Sequence, residues 1–490
     1  MAASLKLNTL YNLMGSLLPI VVSLVTVPLY LRLIGVDGYG VLAIVWLFLG
    51  YFGVFDLGLG MASANQFSKL SNHKEMASVF WTGVWTNLVL GIIGAGVLFF
   101  LGDYLFEHLF KMSNEMHASV VGALPWLALA VPVITVSGIL SGVIDGRQKF
   151  LMLNALGVAS TFFLQVLPLL TAYLHGPNLT WIIAVTVLSR LLFGALPMGV
   201  VAIRILGAVK PELPQWHWVK KLLGYGGWTT ISSMVVPITG AMDKFMLGSM
   251  VGPAAVTFFA LPERLARQGA IVPGAVTRAL FPKLSAGNEY DAREITLHSL
   301  DLLLLIQTPL ICALILVLQP FLGIWVGWSV AEKAGPVGLI IAATIWIVGL
   351  NYFPSMLLQA RGRPDIAAKL RILELLPYFL VLWTAIHYLG LIGGGIGLLF
   401  VSVLDMIFLF FGAGLPVFMN KIFWQSVAWI FIAEFLAWSF YKAEMAWYFF
   451  STLLIILSII WVGYVSPELR NTVFIWVGKV AGNKFKEVQK

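Results

Sequence analysis

Long apolar runs dominate the sequence, and only short charged or Gly/Pro-rich gaps interrupt them. A run of about 20 apolar residues is long enough to cross a bilayer as a helix. Because backbone polar groups inside a bilayer must be satisfied within the segment itself, runs of this length predict α-helices. With 60% hydrophobic and 11% charged residues, the chain lies outside the composition of soluble domains. We therefore expect an all-α polytopic membrane protein.

The gaps divide the sequence into fourteen predicted transmembrane spans. They cover residues 9–31, 40–62, 77–101, 117–141, 150–174, 179–203, 222–249, 254–281, 295–322, 335–359, 369–389, 394–419, 422–440 and 446–464. The first apolar run lacks a small-residue cleavage pattern, so it is expected to be a span and not a cleaved signal. The single cysteine, Cys312, excludes a disulfide framework within the chain.

The distribution of basic residues predicts the orientation. With a cytoplasmic N-terminus, 21 Lys and Arg fall in the inner loops and termini, Arg371 among them, against three outside: Lys111, Lys333 and Lys442. Cytoplasmic loops carry the excess of Lys and Arg, so both termini are predicted to be cytoplasmic. The net charge of +8 fits contact with anionic membrane lipids, and no nucleic-acid partner is expected.

An internal repeat organises the chain. The motif "FSKLS" from Phe67 recurs as "FPKLS" from Phe281, displaced by 214 residues, and "YNLMGSLLP" from Tyr11 is matched by "YGGWTTISS" at the same displacement. Gly35 and Gly252 are displaced by 217, and Gly146-Arg147 and Gly362-Arg363 by 216. Each repeat holds six spans, an even number, so spans 1–6 and 7–12 should form parallel repeats around a central cavity, with two extra helices. The predicted divisions are two six-helix lobes, the last two helices and a basic cytoplasmic tail, at residues 1–213, 214–420, 421–465 and 466–490.

Six basic residues are predicted at membrane depth: Arg32, Arg190, Lys244, Arg264, Arg267 and Arg278. Such a residue costs about 2.5 to 3.5 kcal/mol at the bilayer centre and usually faces a partner or a water-filled cavity. On one continuous helix the three arginines of span 8 fall within about 60° of each other. All but Arg32 are substrate-binding candidates, and structural ion pairing stays open as the alternative for each.

Four further charges could set the cavity charge or bind a coupling ion: Arg32, Asp56, Asp243 and Glu263. Arg32 lies where its side chain can also reach the membrane interface, and Asp56 could equally cap a helix or pair with a basic group. Asp243 and Lys244 are adjacent, about 100° apart on a helix, so one is expected to face the cavity and the other a neighbouring helix. Glu263 and Arg267 are spaced to pair locally. Asp405 and Glu434 have no partner visible in the sequence.

The opening stretch contains "LIGVDGYG" and "FDLGLG", and the second half contains "GAMDKFMLGSMVGPAAVTFFALPERL" and "ALFPKLS". These segments resemble bacterial Wzx-type oligosaccharide flippases of the multidrug/oligosaccharidyl-lipid/polysaccharide exporter superfamily. The resemblance implies a twelve-helix, two-lobed core that works by alternating access. It also implies a polyprenyl-diphosphate-linked oligosaccharide as substrate, moved from the cytoplasmic to the outer leaflet of the bacterial inner membrane for cell-surface polysaccharide such as O-antigen. Polysaccharide polymerase or assembly proteins are the protein partners it suggests.

The residue chemistry is compatible with that substrate, because guanidinium groups match phosphate oxygens through paired N–H donors. No Walker A motif and no spaced histidine ligands occur, so we expect neither enzyme activity nor a metal or other cofactor, apart from a coupling ion that could be H⁺ or Na⁺. A lipid II flippase and a cation-coupled drug exporter of the same superfamily remain alternatives. A membrane polysaccharide polymerase or ligase fits less well, because the outer loops are short.

Overall fold

The computed structural model describes residues 2–51, 53, 56–108, 110–207, 210–416, 421–440 and 444–466. The described residues form helices and connecting turns, with no strand among them. The tail predicted at 466–490 lies outside the described residues from position 467 onward. The helices are α1 Ala2–Tyr51, α2 Leu59–Lys69, α3 His73–His108, α4 Asn114–Gly146, α5 Phe150–His175, α6 Leu179–Arg190, α7 Leu196–Leu206, α8 Trp216–Met250, α9 Pro253–Ala266, α10 Ile271–Ala286, α11 Glu289–Val326, α12 Trp328–Ala360, α13 Pro364–Leu389, α14 Leu391–Gly412, α15 Lys421–Phe440 and α16 Glu444–Val465.

Eleven of the described helical segments are long and apolar enough to cross a membrane. Predicted spans 1 and 2 share α1, and span 8 is divided between α9 and α10, which have only 14 and 16 residues. The all-helical polytopic fold is confirmed, whereas the count of fourteen spans stays a prediction.

A glycine turn divides α1 in two. Gly35 has φ 73° and ψ 178°, a conformation that residues with a Cβ rarely adopt. Tyr30, which precedes the turn, packs against Tyr39 and Trp46, which follow it, with ring centroids 6.4 and 5.7 Å away. Gly252, between α8 and α9, also has a positive φ, of 128°. The two repeat glycines therefore both occupy turns between helices.

The helix bounds support the sequence repeat and correct one of its pairings. Helices α4 and α12 both have 33 residues and α5 and α13 both have 26, and each pair starts 214 residues apart. At this displacement Arg147 corresponds to Arg361, and each is the C-cap of its helix, followed by a residue with positive φ. The predicted pairing of Arg147 with Arg363 was wrong, because matching the Gly-Arg dipeptides placed the alignment two residues too far along.

The corresponding arginines also make corresponding contacts. The Arg147 guanidinium donates to the carbonyls of Phe67 and Leu70, at 3.4 and 3.3 Å, where α2 ends. The Arg361 guanidinium donates to the Asn288 carbonyl, at 2.9 Å, between α10 and α11. Each arginine thus holds a carbonyl at the end of the preceding helical hairpin.

Arg361→Ala is expected to destabilise the folded protein by about 1 kcal/mol, the usual net value of an exposed hydrogen bond. Arg363→Ala is the matched control, because the exposed Arg363 side chain makes no hydrogen bond among the described residues. The measurement is the midpoint of thermal aggregation in detergent. Equal midpoints for the two variants would contradict the corrected pairing.

The described residues divide into two compact units. The first comprises the residues up to Ala260 together with Ile386–Leu391, and the second comprises Leu261–Ala385 and the residues from Ile392 onward. These units follow packing and not the repeat, so the lobe boundary at residues 213 and 214 stays a prediction.

Within the first unit, α2 and α4 approach almost backbone to backbone. A Cβ added at Gly142 would lie 2.5 Å from the Gly60 carbonyl oxygen, and one added at Gly146 would lie 2.5 Å from that of Ala64. Small residues allow this separation in membrane helices, where van der Waals packing replaces the hydrophobic effect. This glycine seam (Gly60, Ala64, Gly138, Gly142 and Gly146) fixes the position of α2.

Within the second unit, polar side chains join α11 to α12. The Gln307 amide donates to the Ile345 carbonyl at 3.3 Å, and the Trp346 indole donates to the Thr308 hydroxyl at 3.1 Å. Gly349 leaves the space that the Gln307 side chain fills. Hydrogen bonds of this kind add modestly to the association of helices in lipid.

Candidate functional site

The helix that carries the arginines of span 8 is broken in its middle. Helix α9 ends at Ala266, Arg267–Ala270 form a 3₁₀ turn, and α10 begins at Ile271. A 3₁₀ turn has about 3.0 residues per turn in place of 3.6, so the angular positions before and after it are not in phase. The expectation of one continuous arginine stripe was therefore wrong, and the break lies at Arg267–Ala270 and not at Pro273.

Glu263 and Arg267 form an ion pair across this break. The Arg267 Nε and Nη2 both donate to Oε1 of Glu263, at 2.9 and 2.6 Å. The Glu263 side chain is 5% exposed, whereas that of Arg267 is 55% exposed. The carboxylate is thus buried and the guanidinium still presents a face outward. The local pairing predicted from the spacing is confirmed.

Arg264 differs from Arg267 in its contacts. It is partly buried, and among the described residues its guanidinium has no hydrogen bond or ion pair; only its backbone carbonyl accepts, from Gln268 at 3.1 Å. Arg278 is exposed on α10 and likewise lacks an acidic partner within the described residues. Of the three arginines, Arg264 therefore combines partial burial with a charge that no described acid neutralises.

Asp243 and Lys244 pair with each other, contrary to the expectation that they would face different surroundings. The Lys244 Nζ lies 3.5 Å from Oδ1 of Asp243, and both residues are buried. The Lys244 backbone N–H also donates to this oxygen, at 2.7 Å, and Nζ lies over the Phe259 ring. The aspartate folds back on the backbone and the long lysine chain bends toward it, which removes the 100° separation of their Cβ directions.

Asp56 lies at the glycine seam. Leu57 and Gly58 have φ of 47° and 69°, so the backbone turns sharply just before α2, and the carboxylate Oδ2 accepts from the Gly60 N–H at 2.9 Å. Gly138 on α4 leaves room for this carboxylate, since a Cβ there would come within 3.1 Å of both its oxygens. The capping reading of Asp56 is confirmed, and its role as a coupling site stays a prediction.

Arg190 is the last residue of α6 and is followed by a π-helical turn, Leu191–Ala195. It is partly buried, and its guanidinium has no acidic partner among the residues described in the first unit. The π-turn also stacks Phe193 on Phe163, with ring centroids 3.9 Å apart. Such turns are frequent at functional sites. Arg32 is exposed near the Gly35 turn, which agrees with a side chain that reaches the interface.

One charged group was missed in the sequence. Arg371 of α13 was counted in an inner loop, but its Nε donates to Oδ1 of Asp405 on α14, at 3.2 Å. The Asn351 amide of α12 donates to Oδ2 of the same aspartate at 3.1 Å, and Glu374 of α13 is buried beside them. The spacing of Arg371 and Glu374, three residues apart within the apolar segment "RILELLPYF", was the signal that could have revealed this acidic cluster (Asn351, Arg371, Glu374 and Asp405).

The described residues contain no group of three or more His, Cys, Asp or Glu side chains that could hold a metal ion. This observation concerns those ranges alone, and the expectation of no metal stays a prediction.

Comparison with known proteins decides the family. A family model described as "Polysaccharide biosynthesis protein" matches residues 30–333, more than half of the chain. The chain belongs to this polysaccharide biosynthesis family. A Shigella flexneri member of the curated proteins, named "Putative O-antigen transporter", is 26% identical over 408 residues, which cover 82% of this chain and 96% of that protein. Membership of the family agrees with the resemblance on which the sequence prediction relied.

Solved structures show the fold that this polysaccharide biosynthesis protein shares. The lipid II flippase MurJ in an inward closed conformation matches with a TM-score of 0.68 at 16% identity, over 94% of this chain and 98% of that one. An inward-facing multidrug resistance MATE family transporter of the MOP superfamily matches with a TM-score of 0.64 at 16% identity, over 87% and 95%. The predicted superfamily fold is thus confirmed.

Proposed function

We propose that this protein is a flippase that moves a polyprenyl-diphosphate-linked oligosaccharide from the cytoplasmic to the outer leaflet of the bacterial inner membrane. Arg264 carries the proposal: it is a partly buried guanidinium in a helix of a membrane protein, with no acid neutralising it among the described residues. An unneutralised intramembrane charge is stable only beside water or a ligand of opposite sign. A diphosphate supplies that ligand.

The neighbouring residues support an anionic substrate. Glu263 neutralises Arg267 at 2.6 Å, so the surplus positive charge of this helix lies on Arg264 and, further along, on Arg278. Arg190 contributes a second unneutralised guanidinium in the first unit. Lys244 is the weakest of the proposed substrate residues, because Asp243 already pairs with it.

The similarity to a Shigella flexneri protein named for O-antigen transport supports the glycan class. We further propose a transport role without enzymatic activity, a multi-pass inner-membrane location and cytoplasmic termini. Membrane lipids are its immediate surroundings, and polysaccharide polymerase or assembly proteins are the partners that would receive its product. In this scheme Arg32, Asp56 and Asp243 adjust the charge of the cavity, and alternating access exposes Arg264 to each side in turn.

The test is the lipid-linked intermediate that accumulates when the gene is deleted in its own host. We expect a polyprenyl-diphosphate oligosaccharide to build up in the inner leaflet, where an impermeant glycosidase added outside cannot reach it, and expression of the intact gene to reverse this. Accumulation of lipid II instead would favour a lipid II flippase. Unchanged lipid intermediates together with altered drug susceptibility would favour a drug exporter, and either result would overturn the proposal.

A further inference from the structure

The acidic cluster of the second unit contains two carboxylates and one arginine, all within packed helices. Arg371 on α13 lies 3.2 Å from Oδ1 of Asp405 on α14, and the Asn351 amide on α12 lies 3.1 Å from Oδ2. The two oxygens of Asp405 are therefore each held by a donor. One arginine and one aspartate compensate each other, and the second acid, Glu374, is the charge left over.

Glu374 is more deeply buried than its neighbours and is poorly satisfied. The residue is 2% exposed, and its Oε1 atom has no hydrogen-bond partner among the described residues. Asn351 is 5% exposed, and its Oδ1, which cannot donate, is also without a partner there. An ionised carboxylate in such surroundings takes up a proton more readily than it stays charged.

No other charge is placed to neutralise Glu374 in the described part of the second unit. Helices α12 and α14 pack against this part of α13, through Leu358, Leu409 and the contact of Gly412 with Leu370. The charged residues of α12, namely Glu332, Lys333 and Arg361, lie toward its two ends, and Asp405 is the charged residue of α14. On α13 itself, Asp365 and Lys369 pair at 3.1 Å on the exposed first turns, and the buried Tyr378 lies one turn beyond Glu374.

We propose that Glu374 is the proton-binding site that couples transport to the proton gradient, with the Arg371–Asp405 pair and Asn351 as positioning residues. The proposal rests on the flippase function proposed above. A proton from water on one side adds to Oε1 of the Glu374 carboxylate, which gives a neutral acid and an uncharged cluster. The same proton leaves to water on the other side, which restores the carboxylate and a net charge of −1.

The observations favour a proton over a metal cation. A metal ion would need several oxygen ligands, whereas both oxygens of Asp405 already accept hydrogen bonds and Arg371 places a positive charge beside them. A proton needs a single oxygen lone pair. The Glu374 carboxyl provides it, and a protonated Oε1 would then be able to donate.

The experiment uses the full chain in proteoliposomes, with a fluorescent polyprenyl-diphosphate disaccharide as the transported probe. Its movement is measured without a gradient, with a pH gradient of one unit and with a sodium gradient. Coupling of one proton per probe allows about a tenfold concentration ratio per pH unit. We expect the wild type to approach that ratio with the pH gradient and to show none with the sodium gradient.

Glu374→Gln is expected to equilibrate the probe without a gradient but to lose the response to the pH gradient, because the amide resembles a permanently neutral acid. The matched control is Glu294→Gln, an exposed glutamate of α11, which should behave as the wild type. A wild-type response to sodium alone, or a Glu374→Gln variant that keeps the tenfold ratio, would overturn the proton site. A wild type that moves no probe in any condition would instead refute the proposed flippase function.

A second variant covers the case in which Glu374→Gln does not fold. Glu374→Asp retains a titratable carboxyl that is one methylene shorter, so gradient-driven transport should persist with its pH profile displaced. A profile that coincides with that of the wild type would show that this carboxyl does not carry the proton.

Discussion

Replacing Arg264 with alanine is expected to lower glycan export about ten- to a hundredfold at an unchanged level of folded protein. The change removes a charge-assisted contact to the diphosphate worth about 1.5 to 3 kcal/mol, and each 1.4 kcal/mol corresponds to a factor of about ten. It leaves no buried acid behind, because the acid of this helix pairs with Arg267. Arg264→Lys should recover export only in part, since lysine keeps the charge but lacks the forked donors. Export is measured in cells and normalised to protein in the membrane.

Two further variants separate binding from scaffolding. Arg363→Ala removes an exposed arginine of the same unit and should leave export unchanged. Arg267→Ala removes two hydrogen bonds from the buried Glu263, so it should reduce the amount of folded protein as well. Normal export by Arg264→Ala at equal abundance would mean that this arginine has no part in substrate binding.

Gly142→Ala and Gly157→Ala are expected to change stability in opposite directions, although both add one methyl group to a helix of the first unit. At Gly142 the new Cβ would lie 2.5 Å from the Gly60 carbonyl oxygen and 3.4 Å from the Ala64 nitrogen, so α2 and α4 must separate. Overpacking of this kind costs about 1 to 3 kcal/mol. At Gly157 nothing lies within 4 Å, and alanine should stabilise α5 by about 0.5 to 1 kcal/mol.

The measurement is the thermal midpoint of each purified variant in the same detergent. Because Asp56 also touches this seam, Gly142→Ala should reduce export in addition to stability. An unchanged midpoint for Gly142→Ala would show that α2 and α4 are not in backbone contact.

The apolar runs were sufficient to predict the helical membrane fold, since long helices are the one solution for such segments in a bilayer. They could not locate the 3₁₀ turn at Arg267, because one helix and two helices joined by a tight turn have the same hydropathy. The same limit explains the arginine stripe, which assumed an unbroken period of 3.6 residues.

Charge contacts were predictable only when they were local. The spacing of Glu263 and Arg267 predicted their pair, whereas the contact of Arg371 with Asp405 joins residues 34 positions apart on different helices. Asp243 and Lys244 show a second limit: the direction of a Cβ does not determine where a flexible side chain ends. Single-sequence reasoning thus finds the charged residues of a membrane protein more reliably than their partners.

The constant displacement between the two repeats also bears on how this gene has changed. From Phe67 to the end of α5 at His175, every helix start or motif that was compared is matched 214 residues later, apart from differences of a few residues at the bounds of α3 and α11. If the halves arose by duplication, this stretch has accepted substitutions but no net insertion or deletion since. Between Gly35 and Phe67, by contrast, the first copy is three residues longer than the interval from Gly252 to Phe281. That interval contains Asp56, so the one segment in which evolution altered the length of a copy is also the segment in which the two copies came to differ in charge.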